Sequence, residues 1–174
     1  MHLFHPTLIL RKVTDITPEI LHSIGAEAIL LDVDNTLALP GSQDPFPGTI
    51  EWSHMLRKAG FRIILLSNNF SWRVQPFAEK YGLPFLSMSM KPFPTAYHRA
   101  VRRLGVGWNR AVIAGDQLFT DILGANFAKM KSILLVPVAE EKGSFFRIRR
   151  KAEKSIRNKL EKEQRISDKK DDIR

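Results

Sequence analysis

Cysteine is missing altogether from the 174-residue chain, which excludes a disulfide framework, a thiolate metal site and a cysteine nucleophile. Long uncharged runs are missing too. None approaches the ~20 residues that a membrane-spanning helix needs, so no spanning segment is expected. The stretch Met1 to Leu10 has neither a basic lead nor a small-residue cleavage site, and Pro6 interrupts it, so it reads as part of the mature protein. The five histidines stand at 2, 5, 22, 54 and 98, too scattered for a histidine metal site. Gly105-Val106-Gly107 lacks the third glycine and the upstream strand of a dinucleotide fingerprint. Acidic residues are the scarcer charge, 18 against 27 Lys plus Arg, for a net +9.

What is present can close one core: 44% of the chain is hydrophobic, and its length suits one domain. Glu27–Asp34 (EAILLDVD), Phe61–Ser67 (FRIILLS), Arg110–Asp116 (RAVIAGD) and Lys131–Val136 (KSILLV) are short apolar runs bounded by turn formers. That is the pattern of strands buried on both faces. Pro84–Ser87 is a weaker strand. Helices are expected over Ile50–Ala59, Trp72–Tyr81, Thr95–Leu104 and Leu118–Phe127, several closed by Gly60, Gly82 or Gly105. Trp52, Trp72 and Trp108 read as core or interface aromatics. The alternation predicts an α/β fold, a three-layer αβα sandwich around a mainly parallel, Rossmann-like sheet, with the catalytic domain over residues 1–140. Residues 141–174 form a basic tail, with 13 basic and 7 acidic side chains against 14 and 11 before them.

Ligands of such sheets bind beyond the carboxyl ends of the strands. Asp32 and Asp34 close the first apolar run, Ser67 the second and Asp116 the third, while Lys91 follows the weak strand that lies between the last two of these. Two aspartates at i and i+2 leaving a buried strand repel each other and pay for desolvation. A divalent cation relieves both penalties, and an oxygen-only ligand set favours magnesium over zinc. Lys91 adds a positive charge to hold an anion beside the metal. A phosphate ester meets that description.

Asp32-Val33-Asp34-Asn35-Thr36-Leu37 resembles the DxDxT signature of the haloacid dehalogenase superfamily. Ser67-Asn68, Lys91-Pro92 and Gly115-Asp116 with Asp121 resemble its later motifs in their order, over residues 27 to 137. The resemblance implies a phosphatase with an HAD-like fold working through an aspartyl-phosphate. Asp32 would be the nucleophile and Asp34 the general acid and base. Mg2+ would sit on Asp32, the backbone carbonyl of Asp34, and Asp116. Ser67, Asn68 and Lys91 form the candidate substrate-binding set, with Ser67 donating to a phosphoryl oxygen and Lys91 balancing charge; the separate roles of Asn68 and Asn69 stay open. Asp121 would act from behind, through metal-bound water or by orienting Lys91.

Superfamily members carry cap domains between the first and second motifs or between the second and third. Here 33 residues separate Asp34 from Ser67 and 24 separate Ser67 from Lys91, so no cap domain is expected. The local cover would be the loop Ala38–Gly48, whose Phe46 would touch a leaving group; a plain connecting loop is the competing reading. An open site suits a phosphate projecting from something large. In the tail, Phe145, Ile148 or Arg149, Ala152, Ile156 and Leu160 recur at helical spacing among Lys and Arg. That pattern suits peripheral contact with an anionic membrane, against the competing reading of a solvated tail, disordered from Arg165 to Arg174.

Among capless members, Leu66-Ser67-Asn68-Asn69 and Gly115-Asp116-Gln117-Leu118-Phe119-Thr120-Asp121 are most similar to the bacterial YqeG-like group. That group is related to the phosphatidylglycerophosphate phosphatases of mitochondria and plastids. The likeness implies removal of the terminal phosphate of phosphatidylglycerophosphate, a step of phospholipid biosynthesis, by a cytoplasmic protein peripheral to the membrane face. Two alternatives stand beside it. One is a phosphatase of a nucleic-acid end or a soluble sugar phosphate. The other is a non-catalytic RNA- or ribosome-associated protein, which the retention of Asp32, Asp34 and Asp116 disfavours.

Overall fold

Each apolar run becomes a strand because its aliphatic side chains have cores to enter on both faces. The computed structural model describes residues 3–139, 153–160 and 162. In chain order its elements are β1 (Leu8–Leu10), α1 (Pro18–Ser23), β2 (Ala28–Leu31), α2 (Thr49–Lys58), β3 (Arg62–Leu66), α3 (Ser71–Tyr81), β4 (Phe85–Leu86), α4 (Pro94–Leu104), β5 (Ala111–Gly115), α5 (Leu123–Phe127) and β6 (Lys131–Leu135). The sheet runs β1-β6-β5-β2-β3-β4, and every pairing is parallel. In β2 the side chains alternate between two cores. Ile29 and Leu31 pack with Leu21, Trp52, Leu56, Phe77 and Tyr81 on one face. Ala28 and Leu30 pack with Tyr97, Ala100 and Ala125 on the other. The architecture is the expected three-layer α/β sandwich.

Between Asp34 and Ser67 the chain builds only a loop, α2 and β3, and between Ser67 and Lys91 only α3 and β4. No inserted domain stands over the strand ends in either interval.

Two elements escape the sequence pattern. The lead before residue 11 supplies an edge strand, Leu8 to Leu10 paired with Ile133 to Leu135, and α1 follows it, with Thr17 Oγ1 accepting from the Ile20 amide at 3.4 Å. Both are too short to show a period. The expected helix at 118–127 is a π-turn over Leu118–Ile122 that becomes α5. Of the three tryptophans, Trp52 is core, donating to the Ile16 carbonyl at 2.8 Å, whereas Trp72 and Trp108 are exposed.

Of the tail's apolar residues, Phe145, Ile148 and Ala152 lie outside the described residues. Residues 153–160 are helical, and Leu160 is buried with Leu118, Ile122 and Leu134, with Ile156, Phe4 and Ile9 packed against the cluster. This corrects the reading of a free apolar stripe at these two positions: Ile156 and Leu160 face the body of the protein. Arg157 between them donates to the Leu135 carbonyl at 3.1 Å and to the Asp116 carbonyl. No helix among the described residues is long and apolar enough to cross a membrane.

Candidate active site

The site forms where β2, β3, β4 and β5 end. Asp32 stays in register beyond β2, its amide donating to the Ala114 carbonyl of β5 at 3.0 Å. The chain then turns sharply, with the Leu37 amide donating to Val33 O at 2.8 Å and the Asn35 amide to Ala38 O at 2.8 Å. Asn35 takes a left-handed φ of 59°, a conformation that asparagine tolerates better than most residues.

Lys91 is delivered from the other side. Asn68 holds its backbone, donating from Nδ2 to Lys91 O at 3.0 Å while Oδ1 accepts from the Lys91 amide and from Ser89 Oγ, both at 2.8 Å. The carboxamide of Asn68 is thus engaged in placing Lys91. The Lys91 ammonium, buried, donates to Asp32 Oδ1 at 2.6 Å and Asp121 Oδ1 at 2.7 Å. Asp121 is braced in turn by the Gln117 amide, which donates to its Oδ2 at 3.1 Å.

Asp32, Asp116 and Asp121 are all buried, and one carboxylate oxygen from each lies within 4.8 Å of the others. One ammonium among three carboxylates leaves an excess of negative charge. Burial opposes the charge on Lys91, yet Asp121 and Asp32 beside it hold its pKa above the ordinary lysine value. Burial pushes Asp32 up to about 8, against the pull of Lys91 and with the repulsion of Asp121 and Asp116. A carboxylate that resists ionisation beside two more is the environment a hard cation relieves. These oxygen donors fit a divalent ion of the magnesium type.

Asp34 belongs to a neighbouring group. Its Oδ2 accepts from Asn69 Nδ2 at 2.6 Å, and its Oδ1 accepts from the Gly41 amide at 3.0 Å and Arg73 Nη2 at 3.2 Å. Arg73 also donates to Ser42 O at 2.6 Å, tying the 38–48 loop to the first turn of α3. Ser67 Oγ accepts from the Asn69 amide at 3.2 Å, and its own proton remains to be donated. It does not cap α3, which begins at Ser71. Phe46 of the loop lines, with Asn35, Thr36, Val13 and Val136, a cavity of about 240 Å³ beside the turn.

Sequence reasoning missed Arg73 and the supports of Asp121, and it left the role of Asn69 open. An arginine in a first helical turn reads as solvated, and only the tertiary fold lays α3 beside the turn after β2. A β-carbon on Gly115 would stand 2.2 Å from Asp121 Oδ2, and one on Gly124 would stand 2.2 Å from the hydroxyl of Tyr97, which itself donates to Thr120 O at 2.7 Å. Gly115→Ala is therefore expected to push Asp121 off Lys91, costing about 1–3 kcal/mol of stability and lowering turnover at least tenfold. Thermal melting and phosphate release from one preparation check it, and wild-type values for both would refute the close-approach argument.

The family model for haloacid dehalogenase-like hydrolases matches residues 11–129. The "Probable phosphatase YqeG" of Bacillus subtilis (strain 168) is 36% identical over 163 residues, which cover 94% of this chain and 95% of that protein. Among solved structures, the cobalt-bound deoxy-D-mannose-octulosonate 8-phosphate phosphatase of Haemophilus influenzae aligns with a TM-score of 0.54 at 19% identity, over 64% of this chain and 68% of its own. A hydrolase from Streptococcus pneumoniae TIGR4 aligns with a TM-score of 0.55 at 12% identity, over 66% of this chain and 95% of its own. At such identities the two structures speak for the fold.

Proposed function

The chain belongs to the haloacid dehalogenase-like hydrolase family, and from that premise we propose that it is a magnesium-dependent phosphatase acting on a lipid phosphate, phosphatidylglycerophosphate. The observation that carries the chemistry is the buried Lys91 ammonium between Asp32 and Asp121, with Asp116 completing a carboxylate cluster. A relative whose printed name is a probable phosphatase supports the same reaction class.

In this reading Asp32 attacks phosphorus, its carboxylate forming a P–O bond as the bond to the leaving oxygen breaks. Asp34 gives its proton to the departing alkoxide and later takes one from the water that hydrolyses the aspartyl-phosphate. Asn69, Arg73 and the Gly41 amide fix the position of Asp34. Ser67 Oγ–H donates to a phosphoryl oxygen, and Lys91 balances the charge shared by nucleophile and phosphate. Asn68 acts through Lys91, as a positioning residue. Asp32 and Asp116, with the backbone carbonyl of Asp34, would hold Mg2+, which would supply neutralisation of the phosphoryl charge. Asp121 serves the cluster and orients Lys91.

The lipid assignment is supported by the short connections between the motif residues. With only a loop, helices and strands between Asp34 and Lys91, the site is left open toward a phosphate carried by a large body. The deciding experiment measures phosphate release from phosphatidylglycerophosphate in mixed micelles with Mg2+, beside a soluble ester and a 3′-phosphorylated oligonucleotide. Rapid turnover of the lipid, lost on chelation, is the expected result. Turnover confined to the soluble ester or the oligonucleotide would keep the chemistry and remove the lipid. Silence on all three would remove both.

A further inference from the structure

The rim of the site is apolar where a soluble enzyme's rim is ordinarily polar. Five large side chains between residues 70 and 93 stand in solvent: Phe70 at 57% of full exposure, Trp72 at 74%, Met88 at 57%, Met90 at 66% and Phe93 at 60%. Phe70 caps α3 and Trp72 lies in its first turn, while Met88, Met90 and Phe93 lie on the loop after β4. The rings of Phe70 and Trp72 stack at 6.4 Å with planes 10° apart.

The loops after β3 and β4 form one platform. The Met88 amide donates to Asn69 O at 2.8 Å and the Ser89 amide to Ser67 O at 3.0 Å, and the Asn68 carboxamide joins the loops as described. Along the second loop the residues alternate, Ser89 and Lys91 turned in and buried, Met88 and Met90 turned out. Both methionines hold left-handed backbone, φ 45° and 62°. For a long L side chain that conformation is costly and persists only where the surroundings enforce it. The same backbone that aims Lys91 at Asp32 thus aims two thioethers and a phenyl ring outward around the opening.

The chain as a whole is cationic, 27 Lys plus Arg against 18 Asp plus Glu for a net charge of +9, which favours its approach to an anionic surface. Exposed aromatic and thioether side chains on a cationic protein are suited to the interfacial layer of an anionic bilayer. Amphipathic rings settle at the headgroup level there, and basic groups gain from the surface potential. A flat, continuous apolar face would suit a second copy of the chain better than separated projections do.

We propose that Phe70, Trp72, Met88, Met90 and Phe93 form a docking collar that seats the mouth of the active site on an anionic lipid surface. The collar presents Lys91 and Asp32 to phosphates standing out of that surface. This rests on the lipid-phosphate reading above for its purpose, but docking is an equilibrium that can be measured with no phosphate ester present.

The test is fluorescence of the full chain carrying Trp108→Phe, in which Trp52 is buried and Trp72 reports the collar. Vesicles of phosphatidylcholine mixed with phosphatidylglycerol are compared with pure phosphatidylcholine, each with and without bromine-labelled acyl chains. Trp72 is expected to shift to the blue and be quenched by brominated lipid in the anionic vesicles. Paired substitution Phe70→Ser and Trp72→Ser, in the otherwise native chain, is expected to weaken vesicle partitioning by at least about tenfold with an unchanged melting temperature as the control of folding. Vesicle binding that leaves Trp72 unquenched and survives the paired substitution would overturn the proposal, assigning binding to the tail. Concentration-dependent self-association abolished by the same pair, with no vesicle binding, would also overturn it and make the collar a contact between copies. Docking without hydrolysis of phosphatidylglycerophosphate upholds the collar and refutes the substrate; hydrolysis of that lipid without docking does the reverse.

Discussion

Lys91→Met is expected to lower phosphate release by about 10²–10³-fold and to remove about 3–5 kcal/mol of stability from the metal-free protein. The ammonium is buried, within 2.7 Å of both Asp32 and Asp121, and Asp116 lies in the same cluster. Methionine fills much the same volume and removes only the charge, so the packing of α4 and β4 is left in place. What remains is a carboxylate cluster in which Asp32 and Asp121 have lost the ammonium they shared. Removing one partner of a buried pair costs far more than the pair contributes, because the other is left uncompensated. At roughly 2–4 °C per kcal/mol for a chain of this size, the melting temperature measured in chelator should fall by roughly 10 °C. Added Mg2+ should recover part of that fall but little of the turnover, since a cation in the cluster offsets repulsion without replacing the charge that Lys91 turns toward the phosphate. Equal melting of variant and wild type in chelator would show that the cluster is not under electrostatic load.

The contrast between Lys91 and Arg73 shows which parts of the site are written in the sequence. Lys91 sits five residues after Leu86, the end of β4, and directly before Pro92, so the order of the strands places it at the sheet edge with the carboxylates. Asp32, Ser67 and Asp116 are legible for the same reason, each being the first polar residue after an aliphatic run. Parallel topology then forces all of these ends to one side. Arg73 carries no such mark. It becomes a partner of Asp34 because α3 starts close beside the loop that also offers the Ser42 carbonyl, a juxtaposition of segments 39 residues apart. The close approach of Asp121 to Gly115 is illegible in the same sense, since a glycine ending a strand has many reasons to be there.

At the chain's two ends the pattern misled in opposite directions. Leu8 to Leu10 is too short to display a period, yet becomes a strand because β6 has an open edge to pair with. In the tail, Ile156 and Leu160 do display a helical period, and a period tells only that a face is apolar, never what it faces. Leu118, Ile122 and Leu134 supply the partner. Exposed apolar side chains stand instead in the first turn of α3 and on the loop after β4, at Trp72 and Met90, where periodicity has nothing to say.

Asp32→Asn should separate the chemistry of the cluster from its electrostatics, because the two effects have opposite signs. Turnover should fall at least ~10⁴-fold, as expected when a nucleophile is removed from a site whose residues act together. Stability in chelator should rise. The folded-state pKa of Asp32, pushed up by burial to about 8, lies above its ordinary unfolded value near 3.8. Between those pH values the folded protein binds more protons at this carboxyl than the unfolded chain does. Wild-type stability from this group must therefore fall as pH rises through that window and level off above it. The asparagine variant carries no such slope, so its advantage should be absent near pH 4 and largest at pH 8. Mg2+ should narrow the difference at pH 8 by stabilising the wild type more than the variant, since binding to the folded state alone raises stability by mass action. Melting curves of both proteins at pH 5 and pH 8, with chelator and with Mg2+, test every sign at once. A variant less stable than wild type in chelator at pH 8 would mean that the Lys91 ion pair outweighs the repulsion among the carboxylates, and the case for a cation in the cluster would lose its physical basis.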